Sequence, residues 1–342
     1  MISRISDIGR IIAVSAIFYF HTGGITSWPF YWWGEYAVTF FILLSGVAYS
    51  CFSSTHPDDF CSYRKYVLGR LKAIFPIFFF INLAIFAASY LHPSALDRPF
   101  TFAELLASCT GVSQYLGWRY MSTVMWFVPF IIQAYLLFPL IAPLIERFSG
   151  TRVVLAAFVV STPLVMVVFL LFPWPARICA HWSVIFRLPE VCLGVIIGMV
   201  IKDRRALRPG LVAIAVSGTG LSILALAGRA YTDATEAKIL ALPLHGLLIS
   251  LGIVAVSIAA AAILAGPKNT SALRLIGTAS FPFFLLHGAG VGFVGHRFGP
   301  SPAAWVSYYG LCWVAAILFT VIYRRLDRAW WSKSSPKAQN SQ

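Results

Sequence analysis

The sequence predicts an all-α, multi-pass membrane protein with about ten transmembrane helices. Composition is the first reason: hydrophobic residues make up 59% of the 342 and charged residues only 11%, where a soluble domain carries about 25% charged residues. The second is length, because apolar runs recur that match the roughly 20 residues a helix needs to cross a bilayer. The third is charge, because lysine and arginine gather at alternate connections between the runs.

Taken in order, the spans cover about 6–21, 34–52, 66–90, 124–145 and 153–172, then about 183–201, 210–227, 239–265, 272–294 and 303–323. The first follows Asp7 and Arg10, with no small-residue cleavage site after it, and reads as a retained span rather than a signal peptide. The second opens on Gly34 and Glu35; Gly46 near its end permits close helix approach and Ser45 can hydrogen-bond within a bundle. The third enters through Arg64, Lys65, Arg70 and Lys72. A long outer connection from His92 to Thr123 then exceeds an ordinary turn. It reads either as a lid or partly re-entrant segment near an acceptor, or as a surface helix resting on the bundle. Trp126 opens the fourth span at the outer level, where aromatic belts are common. The sixth opens on Arg187 and Glu190, the eighth and ninth are long enough to tilt or kink, and the ninth contains His287. Pro129, Pro139, Pro189, Pro243 and Pro282 fall within helical runs, which a bundle tolerates when neighbours recapture the freed carbonyls. Residues 1–330 form the membrane domain and 331–342 a short, polar, loose tail.

With the N-terminus in the cytoplasm, most of the 26 lysines and arginines fall on the inner side. Arg98, Arg119, Arg177, Arg187, Arg229, Lys238 and Arg297 fall on the other. The bias follows the positive-inside rule and favours an even span count with both termini cytoplasmic. The formal charge of +14 is then mostly topology, with some available to anionic lipid or an anionic cofactor. No zinc-finger spacing or compact basic recognition helix points to nucleic acid. The six cysteines show no ligand spacing and read as small apolar residues, with a pairing of Cys109 and Cys179 left open. No metal-ligand cluster is visible.

Ionisable groups inside spans are expensive and mark function. Arg10 and His21 share one helix, about 16 Å and three turns apart, so they project near one face. That arrangement suits a ligand with an anionic head and a distant reactive group, and acyl-CoA has that shape. A neutral histidine can take the proton of a hydroxyl attacking a thioester. Against this, Arg10 can snorkel to lipid phosphate and His21 can cap a helix end. Glu35 can orient His21, or be a solvated rim carboxylate. Arg70 lies deeper than ordinary flanking charges and, with Arg10, offers a guanidinium fork to phosphate. Arg187 and Glu190, three residues apart, can pair, as structure or as support for a site. His287 and Trp126 reach the same outer level as His21.

In family order these features resemble the membrane acyltransferase-3 family of integral-membrane O-acyltransferases. The matching pieces are the Arg10–His21 pair, GEYAVTFFILLSG from Gly34, RLKAIFP from Arg70, WFVPFIIQAYLLFPLI from Trp126, FRLPEVCLGVIIG from Phe186 and IGTASFPFFLLH from Ile276. The resemblance implies a ten-helix domain in the bacterial inner (cytoplasmic) membrane. It implies use of cytoplasmic acyl-CoA, preferentially acetyl-CoA, to modify hydroxyls of glycans, lipid-linked glycans or related envelope molecules. Catalytic roles then fall to His21, Glu35 and His287, donor binding to Arg10, Arg70 and Lys72, and support on the acceptor side to Trp126, Arg187 and Glu190. The family's third span carries a second arginine three residues after the first; here that position is Ala73, with Lys72 about 100° away around the helix. No soluble esterase-like domain follows the last span, so direct transfer to the final acceptor, or hand-over to a separate envelope-biosynthesis partner, is expected. The alternative class is a transporter or flippase that uses the same charges to bind and move a polar substrate.

Overall fold

The computed structural model describes residues 2–26, 37–52, 60–91, 98–113, 124–171, 183–202, 250, 252–253, 256 and 270–334. Within them every regular element is helical: α1 (Ile2–Thr26), α2 (Ala37–Phe52), α3 (Phe60–Leu91), α4 (Phe102–Thr110), α5 (Phe127–Phe148) and α6 (Gly150–Leu171) come first. A 3-10 turn at Val184–Arg187 leads into α7 (Leu188–Lys202), followed by α8 (Thr270–Phe298) and α9 (Pro302–Ser334). Helices satisfy every backbone group within the segment, which hydrocarbon demands.

Five of these segments are long and apolar enough to cross a membrane: Phe60–Leu91, Phe127–Phe148, Val184–Lys202, Ser271–Phe298 and Pro302–Leu326. Ala37–Cys51 and Arg152–Ser161 are shorter apolar helices. The chain is thus an all-α, multi-pass membrane protein. The seventh expected span lies outside the described residues, as does nearly all of the eighth. Helix ends overrun the expected spans: α1 reaches Thr26, α3 begins at Phe60, and α9 continues to Ser334, beyond the expected boundary at 330. Apolar content marks the width of the bilayer, not the length of the helix that crosses it.

Two helix pairs frame the molecule. In the first, α1 lies beside α8 and the two run parallel, with Asp7 against Gly277 and Phe18 and His21 against His287. In the second, α2 and α7 run parallel in very close contact. A methyl group on Gly194 would stand 2.7 Å from the Leu43 carbonyl oxygen, and one on Gly46 2.7 Å from the Gly194 carbonyl carbon. Only glycine at those points lets the backbones approach so closely. The Ser50 hydroxyl donates to the Val195 carbonyl at 2.9 Å across this seam. Antiparallel to α8, α9 sets Tyr308 beside His287 and Arg324 beside Thr278. Antiparallel to α3, α5 sets Tyr135 beside Tyr66 and Met125 beside Asn82.

Prolines occupy two kinds of place. Pro129 and Pro189 fall in the first turns of α5 and α7, where the missing N–H has no partner to lose. Pro76, Pro139, Pro143, Pro163 and Pro282 lie inside helices, and Pro243 lies outside the described residues. Pro76 leaves the Lys72 carbonyl without its usual donor, and the Tyr323 hydroxyl of α9 donates to that oxygen at 2.9 Å. One proline thereby fastens α9 to α3.

In the described part of the long connection between α3 and α5, the helix α4 rests on α3. Thr101 caps α4 with a reciprocal Thr101–Glu104 capping box, and Gly111 ends it in the left-handed region at φ 76°. Phe100 and Leu105 pack on Ile85 and Phe86 of α3, and the Tyr90 hydroxyl donates to the Phe100 carbonyl at 2.9 Å.

Candidate functional site

The parallel packing of α1 on α8 brings two histidines together. The rings of His21 and His287 have centroids 5.3 Å apart. His287 is fully buried, ringed by Phe18, Phe283 and Phe284 at centroid distances of 5.9, 5.8 and 5.7 Å. Its Nδ1 lies 3.3 Å from the Phe283 carbonyl oxygen. A carbonyl only accepts, so that bond requires a proton on Nδ1 and leaves the lone pair on Nε2. Nε2 has no hydrogen-bond partner among the described residues. The helix turn carrying His287 is pinned from α9, where the Tyr308 hydroxyl reaches the His287 carbonyl at 2.6 Å.

Toward the N-terminal ends of the same helices lies a cavity of about 390 Å³, within the size range of small-molecule sites. Arg10 of α1, Arg70 of α3 and Arg324 of α9 line it, with Ser45, Ala73, Tyr135 and Thr278 among the other wall residues. Arg70 stands 5.3 Å from the centre of the Tyr66 ring and 5.7 Å from that of Tyr135, within cation–π range. One nitrogen of Arg10 is 3.4 Å from the Asp7 carboxylate, a loose contact for an ion pair. Lys72 is not among the wall residues; its side chain is on the exposed side of α3.

Phenylalanines separate the two ends. Phe41 and Phe127 line the cavity, and both rings meet Phe284, at 6.5 and 5.3 Å. Phe284 in turn touches the His287 ring.

The remaining expected residues form a separate polar knot. Arg187 Nε lies 2.7 Å from Glu190 Oε2, a close charge contact rather than an aligned hydrogen bond. Arg187 Nη2 donates to Glu190 Oε1 at 3.2 Å and to Thr39 Oγ1 at 2.6 Å. Both charged residues are buried. Burial of a charge pair is tolerated only when partners replace water, and Thr39 supplies the third contact from α2. The knot thus cross-links α2 to α7. A row of rings, Phe130, Phe127 and Phe284, runs from Arg187 to His287. Trp126 sits half-buried against Phe127 and Phe130 at the start of α5.

Residues 4–325 match the acyltransferase domain that defines the acyltransferase-3 family. The chain belongs to that family. Searches of curated proteins and of solved structures gave no significant match. Family membership fits a chain whose first helix carries both an arginine in the charged cavity and a histidine in the dry aromatic pocket. Of the residues expected from sequence, the structure joins His21 with His287, Arg10 with Arg70, and Arg187 with Glu190. Glu35 lies outside the described residues. Arg324 and Thr39 were missed. Arg324 had the sequence signature of an inner flanking charge, and Thr39 is one threonine in an apolar run. Among the described residues no group of three or more His, Cys, Asp or Glu side chains stands close enough to hold a metal ion.

Proposed function

We propose that this acyltransferase-family protein moves an acyl group, preferentially acetyl, from cytoplasmic acyl-CoA to a hydroxyl of a glycan or lipid-linked glycan of the cell envelope. The observation that carries this reading is the pairing, along one helix, of a cavity lined by arginines with a histidine pair in which His287 is buried and His21 half-buried. The cavity suits the phosphates of CoA, since guanidinium forks match phosphate oxygens. The pantetheine arm then passes Phe41, Phe127 and Phe284 toward His21. There the acceptor hydroxyl attacks the thioester carbonyl carbon and His21 takes its proton. The carbon–sulfur bond breaks, the CoA sulfur leaves and recovers a proton, and an ester remains on the acceptor. The Nε2 lone pair of His287 faces an apolar surround and orients or relays through His21, in the way a base is held by a third group. In this scheme Glu35 orients His21, and Trp126, Arg187 and Glu190 support the acceptor side.

We also propose ten spans in an inner (cytoplasmic) membrane, with residues 1–330 as one domain and both termini cytoplasmic. Parallel packing gives α7 the direction of α2, and α8 the direction of α1, so α7 ends and α8 begins on the same side. Two crossings between them meet that condition, and the apolar runs at about 210–227 and 239–265 are long enough to supply them.

The deciding experiment uses oriented protein in sealed vesicles. Radiolabelled acetyl-CoA is supplied only on the side of the termini, and membrane-impermeant candidate glycans only on the other. Labelled ester on the glycan, with stoichiometric CoA thiol release, is the expected result. Product formed only when both substrates share one side would overturn the cross-membrane geometry. Glycan flux without ester formation would overturn the enzymatic reading in favour of transport.

A further inference from the structure

The inner cavity holds a cation that the charge pattern of the sequence assigns to the membrane rim. Arg324 and Arg325 are neighbours near the end of α9, and both read as inner flanking charges. The structure separates them: Arg325 is exposed, while Arg324 is half-buried and lines the cavity with Arg10 and Arg70. Two contacts fix that placement. The Tyr323 hydroxyl bonds the Lys72 carbonyl at 2.9 Å, which holds this turn of α9 against the start of α3. Arg324 Nη2 donates to Thr278 Oγ1 at 2.8 Å, which aims its guanidinium across α8 into the cavity.

The wall beside it has a gap in charge. Ala73 of α3 lines the same cavity one turn beyond Arg70, and Lys72 is not among its wall residues. No carboxylate lines the cavity among the described residues, and Asp7 stands beside Arg10 at its edge. Three guanidinium groups around one partly dry space repel one another unless an anion joins them. An anion with several oxygens answers all three at once.

We propose that Arg324 is a third phosphate-binding residue of the donor site, supplying from α9 the charge that α3 lacks at Ala73. The inference rests on the acyl-CoA reading above and adds a residue and a helix to it. It makes the last helix part of the donor site, so donor binding ties α1, α3, α8 and α9 together at the inner face.

The test is CoA affinity, measured by calorimetry on purified protein in nanodiscs of phosphatidylcholine alone, so that no anionic headgroup competes. Arg324→Ala is expected to weaken CoA binding roughly ten- to hundred-fold, the usual scale for a lost hydrogen bond to a charged group. Arg325→Ala leaves it within twofold. Arg324→Gln keeps a donor for Thr278 without the charge, and weakens binding as much as alanine does while unfolding at the wild-type temperature. In the doubly changed protein, Ala73→Arg with Arg324→Ala, an arginine returns to the same cavity and recovers at least half of the lost free energy. Dephospho-CoA shows which phosphate is held: if Arg324 binds the 3′-phosphate, wild type and Arg324→Gln bind that ligand equally. If it binds the diphosphate, the variant remains weaker. A folded Arg324→Gln protein with wild-type affinity for CoA, while Arg10→Ala is weakened, would overturn the assignment and leave the acyl-CoA reading standing. A difference confined to nanodiscs containing phosphatidylglycerol would assign Arg324 to a lipid headgroup and overturn it too. Wild-type protein with no measurable affinity for CoA would overturn both.

Discussion

The two ends of the α1–α8 pair are built on opposite principles. At the N-terminal end, Arg10 and Arg70 stand around open space, with charge held by tyrosine rings and a loose contact to Asp7. At the other, His21 and His287 sit beside aromatic rings, and Nε2 of the fully buried His287 has no hydrogen-bond partner among the described residues. The first end is arranged to gain energy from a ligand. The second is arranged to keep water out, and fixed polar groups act more strongly where water is excluded. On the proposed reading, affinity and chemistry fall to different residues, and variants can separate them.

The largest expected effect is at the dry end. His21→Ala lowers turnover by about 10²–10⁴-fold, the range for loss of a positioned general base, while CoA affinity stays within twofold. Single-turnover acyl transfer with calorimetry alongside checks both halves. Turnover within threefold of wild type would remove His21 from the proton transfer and leave His287 as the base.

Next is the knot that holds α2 to α7. Arg187→Ala leaves Glu190 buried without its partner, a loss on the scale of about 3–5 kcal/mol. Replacing both, Arg187→Met with Glu190→Gln, leaves no such charge and costs much less. Thermal unfolding in detergent of the single and double variants reads the difference. If the double variant keeps its stability but loses acyl transfer, the pair serves the acceptor side as well as the fold.

This comparison also explains what the sequence disclosed. The membrane class was legible because hydrocarbon solvent imposes composition and run length on every span. The Arg10–His21 pair was legible because both residues lie on one helix, where spacing translates directly into a shared face. The closeness of His21 and His287 was not, because depth along two helices says nothing about which helices are neighbours. Arg324 was hidden for a different reason. Positive-inside bias gives every inner arginine a sufficient explanation, and only the tertiary contacts Tyr323–Lys72 and Arg324–Thr278 set one of two adjacent arginines toward the cavity. Lys72 was misleading in the same way: it is adjacent to Ala73 in sequence, but only Ala73 lines the cavity.

At the charged end the expected effect is smaller and of another kind. Arg10→Ala weakens CoA binding by about 1.5–3 kcal/mol and leaves the rate of the bound complex within threefold. A fall in that rate with unchanged affinity would mean that Arg10 acts on the chemistry, and would remove the division of labour between the two ends. Equilibrium binding and single-turnover rates on one preparation decide between them.

The smallest effect lies outside both ends, on α4, and tests whether that helix takes part at all. Arg98 Nη2 lies 2.7 Å from Glu104 Oε1, and the Thr101 backbone N–H donates to Glu104 Oε2 at 2.8 Å. These partners, the guanidinium first, hold the Glu104 carboxyl well below its ordinary value of 4.5, at about 2. A carboxyl with a depressed folded-state value stabilises the fold when ionised. Its contribution is complete above about pH 4.5 and is lost as the pH falls toward 2. Thr101→Ala removes the reciprocal cap at about 1 kcal/mol, and Glu104→Gln removes the pH dependence. Hydrogen exchange of α4 amides between pH 3 and 6, corrected for intrinsic rates, follows both: protection in wild type falls below pH 4.5, and in Glu104→Gln it is lower and flat. If α4 is only a surface helix resting on α3, acyl transfer at neutral pH is unchanged in both variants. A drop in transfer to glycan with unchanged acetyl-CoA hydrolysis would instead place α4 at the acceptor, and the histidine end of the site would then extend onto α4.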